Sequence, residues 1–433
     1  MRRAIFSAAN AVCLLLGLLT LATPQAGAQT ASSAAAEHQR PAQQRTASLR
    51  ARLAGHAPAA LSAGTPARVT GGAPEVTVPT CNASDLIAAI NTVNASGGTV
   101  NLRRGCTYTL TSPDNDSNAL PVIVNTVTIN GNGDTIERAA TAPKFRIFEV
   151  AAPGDFTLNN LTVSNGYIGP LGGSVGGGIR VASGRLTTNH TRITGSIADI
   201  AGGAVYLDNS SVGRFKSTTI DGNISAGWGA GLYLESNATA TLTGCAVTDN
   251  RATAVHGGGL YLEPGATATL TRCSVTGNTS TLANGGGIAN EGGNVIANHT
   301  RIMNNTAVQG GGIFNTGGTG VTLNYSPVTG NTASSSGAVG GGIYSGGPLK
   351  LNSSPVENNT ATGTNARGGG IFNGGTATLR RSRVDGNHAL GTGAQGGGIF
   401  NGGTVTLIAS PVVANIPDQC APPGSVPGCR QRG

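Results

Sequence analysis

The sequence predicts an all-β solenoid, a coil of three short strands per rung with rungs of about 27 residues stacked on one axis. Three observations predict it. Asparagine returns at Asn223, Asn250, Asn278, Asn305, Asn331, Asn359, Asn387 and Asn415, every 26 to 28 residues. A glycine-rich step precedes one aliphatic residue at Ile179, Val205, Leu232, Leu260, Ile288, Ile313, Ile343, Ile371 and Ile399. Between these markers no helical apolar period runs.

The copy spanning 368–395, GGGIFNGGTATLRRSRVDGNHALGTGAQ, shows how a rung is built. Its strand-like runs are Gly370-Ile371-Phe372, Thr376 to Leu379 and Ser382 to Asp385, separated by Gly374-Gly375 and by Arg380-Arg381. Side chains alternate along a strand, so Ile371, Ala377, Leu379, Ser382 and Val384 share the inner face. Phe372, Thr376, Thr378, Arg383 and Asp385 then share the outer one. A single rung cannot bury its apolar face, but rungs stacked about 4.8 Å apart bury a continuous column. Asn suits the closing turn because it tolerates left-handed geometry and its amide can bond the next Asn.

These residues carry a resemblance. GGGIFN, GGGIYS and GGGLYLE, each followed by S-x-V-x-x-N, resemble repeats of the pectin-lyase-like right-handed parallel β-helix proteins. They are also similar to the GG-[AILV] and F-x-x-N repeats of polymorphic outer-membrane proteins, with Val or Ile in place of Phe. The resemblance covers about Gly176 to Asn415. It implies the fold but no single activity, since that superfamily holds lyases, hydrolases, epimerases and non-enzymatic adhesins.

The elements follow in chain order. Residues 1–28 read as a secretory signal, with Arg2 and Arg3 before the apolar run Ala11–Ala22 and a small-residue site at Ala26-Gly27-Ala28. That run is short of the roughly 20 residues a membrane span needs. Residues 29–75, rich in Ala, Gln, Ser, Pro and Arg, read as a disordered leader. The third segment, 76–178, is expected to hold a cap helix and irregular first rungs. Asn82 or Ser84 can cap the helix, and Leu86, Ile87, Ile90 and Val93 share one face. The order DLIAAIN…GGTVNL resembles the helical cap of the same superfamily, which covers the first open rung. Regular repeats occupy 179–415. A C-terminal cap, 416–433, begins where prolines replace the repeat.

Removing the signal leaves six cysteines, an even number that points to disulfides in an exported chain. Cys81–Cys106 would pin the N-terminal cap and Cys420–Cys429 would close the C-terminal one. Cys245 and Cys273 share one repeat position, where later rungs have Ser326, Ser354 and Ser382. They are expected to stack one rung apart as a third disulfide, with a reduced stacked pair as the alternative.

The formal net charge of +8 does not point to nucleic acid. Two arginines lie in the signal, and the leader adds five arginines against two glutamates. The remainder carries 20 basic and 17 acidic residues.

Two columns are candidate sites. Asp208, Glu235, Glu263 and Glu291 recur after the glycine steps, one per rung, and alternation places them outside. Neighbouring carboxylates about 4.8 Å apart repel by roughly 1 kcal/mol even in water, which solvation or a bound calcium ion would relieve. A solvated face is the expectation, with no metal. Beside them Tyr206, Tyr233 and Tyr261 are also expected to face outward, continuing as Phe314, Tyr344, Phe372 and Phe400. Outward rings flanked by acids would suit a sugar polymer. Lateral packing under the adjacent turn, or a reversed phase with the rings inside, is the reading weighed ahead of it. Thr-x-Thr runs at 239–241, 267–269, 376–378 and 404–406 are too often interrupted for an ice-binding array. The regular rungs lack long loops to wall a cleft, which leaves Lys144, Arg146 and Glu149 as the charged groups of the irregular ones. The expectation is a secreted, non-catalytic β-helix that binds an extracellular polysaccharide or cell-surface partner, with no cofactor and no membrane span in the mature protein. The alternative is a polysaccharide lyase or glycoside hydrolase.

Overall fold

The computed structural model describes residues 72–169 and 174–431. The signal and most of the leader lie outside the described residues. The chain forms a parallel β-solenoid of about 12 turns and about 28 residues per turn. Among the described residues the strands form sheets of 23, 9 and 11 members. Every pairing is parallel and links a strand to its counterpart one rung away, as in Val247↔Val275 and Ile371↔Ile399.

Each regular rung takes four strand segments. The Cys245 rung runs through Leu232–Leu234, Thr239–Thr243, Ala246–Thr248 and Arg251–Ala252. The middle two belong to the large sheet and meet at a one-residue bend. The last stacks into the nine-stranded sheet, so the run after each Asn is partly strand. Inside, Val247, Val275, Val328, Val356 and Val384 are fully buried and Val412 is 7% exposed.

The glycine steps have a steric cause. Gly257 sits at φ +78°, and a Cβ on Gly258 or Gly259 would lie 2.5 Å from the Gly286 or Gly287 carbonyl oxygen of the next rung. The buried asparagines form a continuous ladder from Asn223 to Asn415. Each Nδ2 donates to the next Oδ1 at 2.9–3.0 Å, and each backbone N–H donates to that same oxygen. Nδ2 also donates to a carbonyl of the preceding rung, such as Asn331 to Ile302. Gln419 Oε1 ends the ladder, accepting from Asn415 N and Nδ2.

Helix α1, Ala83–Asn94, buries Leu86, Ala89, Ile90 and Val93 over the first rung, with Ile87 partly buried against the core. Asn82 is its N-cap residue but makes no side-chain cap bond. Thr80 takes a local part instead, accepting from Asn82 N and donating to Asp85. Cys81–Cys106 and Cys420–Cys429 are bonded. Cys245 and Cys273 are not: they are buried free thiols, which corrects the third expected disulfide. In-register neighbours on parallel strands hold their side chains side by side, and the Cys245 N–H donates to Cys273 Sγ at 3.4 Å. The proline-containing C-terminal segment still adds a strand, Cys420–Ala421, on Ile399 and Phe400.

The ladder predicts a contrast. Asn331→Ala orphans the Asn305 amide and the Ile302 carbonyl in the interior, and should lower unfolding free energy by about 3 kcal/mol. Asn324→Ala, in a part-buried surface ladder with Asn298, should cost about 0.5 kcal/mol. Equilibrium urea unfolding of both variants measures the difference.

Candidate functional site

The aromatic and acidic columns are largely covered, with Asp208, Glu291, Tyr344, Phe372 and Phe400 half-buried and the rest of the named rings and acids buried. Tyr206, Tyr233 and Tyr261 are 0, 2 and 5% exposed, and Glu235 and Glu263 are 4 and 5% exposed. Alternation does turn them away from the inner leucines, but the segment leading into each glycine step folds back over them. Trp228 lies 6.5 Å from the Tyr261 ring, His256 stacks on Phe314, and the Arg367 guanidinium lies over Phe400. The three tyrosines stack at 4.7 and 5.1 Å.

The carboxylates are engaged within this covered layer. Tyr233 donates its hydroxyl to Glu263, whose other oxygen accepts from Ser236 N and Oγ. Glu235 accepts from Asn209 N, and Glu291 from Tyr261 Oη at 2.9 Å, with His256 3.4 Å away. Asp208 forms a two-point pair with Arg180, which also reaches Glu149. Arg146, 1% exposed, closes the chain through Glu149 and Asn118. Burial pushes the Asp208 carboxyl above its ordinary range although Arg180 pulls it down. Burial likewise pushes Arg146 down to about 10 against the pull of Glu149. These groups are packing and pairing elements. Lys144 is half exposed and sits over the Tyr167 ring, 3.7 Å from Asp199. Among the described residues no group of three or more His, Cys, Asp or Glu could hold a metal ion.

The exposed chemistry lies elsewhere, on the bend inside the large sheet. One residue per rung turns the chain there with φ near +50 to +60°: His190, Ser217, Gly244, Arg272, His299, Tyr325, Ser353, Arg381 and Ala409. Their backbone N–H groups bond rung to rung, Arg272 to the Asn298 carbonyl and Tyr325 to that of Asn352. Left-handed geometry costs a bulky residue about 1–3 kcal/mol, and glycine is the cheap solution, used at Gly244. Four of the five rungs from 272 to 381 instead carry Arg, His, Tyr and Arg. Tyr325 is 59% exposed and stacks on His299 at 5.0 Å.

Shallow depressions follow this bend. One of 650 Å³ is lined by Ser217, Gly244, Arg272, His299, Arg301 and Tyr325, with Cys245 and Cys273 at its floor. A second of 470 Å³ continues past Tyr325 and Asn352 to Arg380 and Arg381. A third of 240 Å³ extends from Ser217 toward His190 and Arg192. No lining residue of the three is acidic. On the flanking outer faces Arg192 pairs with Asp221 and Arg383 with Asp385, while Arg272, Arg301, Arg380 and Arg381 make no ion pair among the described residues. At the floor the Cys245 thiol is held up by its bond to Cys273, whose own thiol that bond lowers.

The fold and the exposed bend together define a class, a β-solenoid whose long outer surface carries its polar display. The family model for the right-handed beta helix region matches residues 115–307 and 248–410, together more than half of the chain. The chain belongs to the right-handed β-helix family. The match does not extend to the polymorphic outer-membrane repeats. Comparison with curated proteins and with solved structures returns no match. The family is consistent with a carbohydrate-related or surface protein and goes no further.

The covered tyrosines predict opposite effects from one substitution. Tyr206 Oη is buried with no hydrogen-bond partner, so Tyr206→Phe should be neutral or stabilise by up to about 1 kcal/mol. Tyr233→Phe strips a donor from Glu263 and should destabilise by about 1–3 kcal/mol. Denaturant midpoints of the two variants decide it.

Proposed function

We propose that this chain is an exported, non-catalytic module that binds an anionic carbohydrate polymer laid along the bend of its large sheet. The observation that carries the reading is the run Arg272, His299, Tyr325 and Arg381, bulky groups held in left-handed geometry where glycine would cost less. Strain kept at exposed positions is a mark of a displayed surface. The rung spacing of about 4.8 Å is comparable to one extended sugar unit, so successive rungs can meet successive residues. Tyr325 offers a ring face, Asn324 and Asn352 offer amides, and the arginines offer planar donors for carboxylate or sulfate. The acidic column proposed from sequence as the sugar-binding face is covered, so the binding surface moves to the opposite sign of charge. The absence of acids from the lining favours binding over acid–base cleavage. The two disulfides fit an oxidising compartment.

The test is a panel of immobilised neutral and anionic polysaccharides, with turnover of each measured in parallel. Binding should be confined to anionic chains and weaken as salt rises. Arg272, Arg301, Arg380 and Arg381 changed together to Gln should weaken it by roughly fourfold to several hundredfold, at about 0.2–1 kcal/mol per exposed contact. Tyr325→Ala should weaken it at every salt concentration. Cleavage of any chain would replace this reading with a lyase or hydrolase.

A further inference from the structure

Cys245 and Cys273 occupy adjacent rungs of a polar ladder just inside the bend. At this position Thr300, Ser326, Ser354, Ser382 and Ser410 each accept a hydrogen bond from the backbone N–H one rung earlier. A hydroxyl therefore suffices for the ladder, yet two successive rungs carry sulfur. The other four described cysteines are bonded in pairs, while these two stand as thiols. Both line the 650 Å³ depression at 3 and 4% exposure. Gly244, beside Cys245, leaves that part of the floor free of a side chain, since a Cβ there would approach nothing closer than Ser217 Oγ at 3.9 Å.

We propose that Cys245 and Cys273 form a two-coordinate site for monovalent copper. Sulfur selects soft d10 cations over calcium or magnesium. With metal–sulfur bonds of roughly 2.3 Å, a linear S–Cu–S unit spans about 4.6 Å. Rungs lie about 4.8 Å apart and the two thiols already meet through a hydrogen bond, so the ion would enter by replacing that contact, the sulfurs opening to its span. A disulfide would need them to close to about 2 Å. Zinc would need four ligands, and no third His, Cys, Asp or Glu joins this pair among the described residues. Binding forms two Cu–S bonds, and the two thiols release two protons. Copper stays monovalent, and nothing is oxidised or reduced.

The experiment uses the exported chain with its two disulfides intact, under anaerobic conditions, with Cu⁺ supplied as its bis-bicinchoninate complex. One Cu⁺ per chain should pass to the protein, and X-ray absorption should show two sulfur neighbours and no nitrogen or oxygen. Cys245→Ser and Cys273→Ser should each weaken uptake by more than the roughly 100-fold that loss of an outer-shell partner costs. Both should retain the wild-type circular dichroism spectrum, because serine fills this position in later rungs. The proposal is overturned if wild-type protein takes no copper, if either serine variant keeps it, or if peptide mapping finds the two cysteines joined.

Discussion

The asparagine ladder and the glycine steps are one device. In most steps the third residue is a glycine lying against the ladder amide of its own rung: a Cβ on Gly287 would approach Asn305 Nδ2 at 3.0 Å, and one on Gly398 would approach Asn415 Nδ2 at 2.7 Å. The amide therefore sits inside the coil opposite a glycine, or at most an alanine such as Ala204 in the Asn223 rung. Once inside, its oxygen accepts two bonds from the rung before, and its nitrogen donates to the rung after. A buried polar row of this kind is favourable only when every member is satisfied. That condition fixes the register of each rung against the next, because a one-residue slip would leave the whole row unpaired. The sheets, the valine column and the hydroxyl ladder inherit their alignment from it.

Fixed register has different consequences on the two sides of the coil. Beside the glycine steps the small residues let the returning chain come close, so a second layer covers the tyrosines and their acids. The Arg146–Glu149–Arg180–Asp208 chain starts this layer and the stacked rings continue it. Paired buried charges of this sort add little net stability but are costly to break. On the large sheet none of the described residues returns over the bend.

Much of this could be read in the sequence, and the failures have physical causes. The inner Val and aliphatic positions and the turn asparagines repeat in type, so their burial followed from strand alternation. Alternation also placed Tyr233 and Glu263 on the outer side of their strand, correctly. It could not report that Trp228 and His256, from the segments leading into the glycine steps, would lie over that side. The bend was hidden for the reverse reason. Its occupants run His, Ser, Gly, Arg, His, Tyr, Ser, Arg and Ala, with no shared chemistry to mark the column. What recurs is the following residue, Thr, Ser or Cys, whose side chain turns inward to the hydroxyl ladder. That pattern was the available signal. For the thiols, shared repeat position gave adjacency, but chain spacing alone could not decide bond formation between in-register neighbours.

Because the bend residues take one backbone conformation and point away from the core, their identity bears on folding only through the local left-handed strain. Substitutions there alter what the surface presents while the amide row and valine column keep the coil in register. The column thus works as a line of editable letters, one per rung, each carrying only a local conformational cost to the backbone it is written on. Gain or loss of whole rungs would lengthen or shorten that line without changing its grammar.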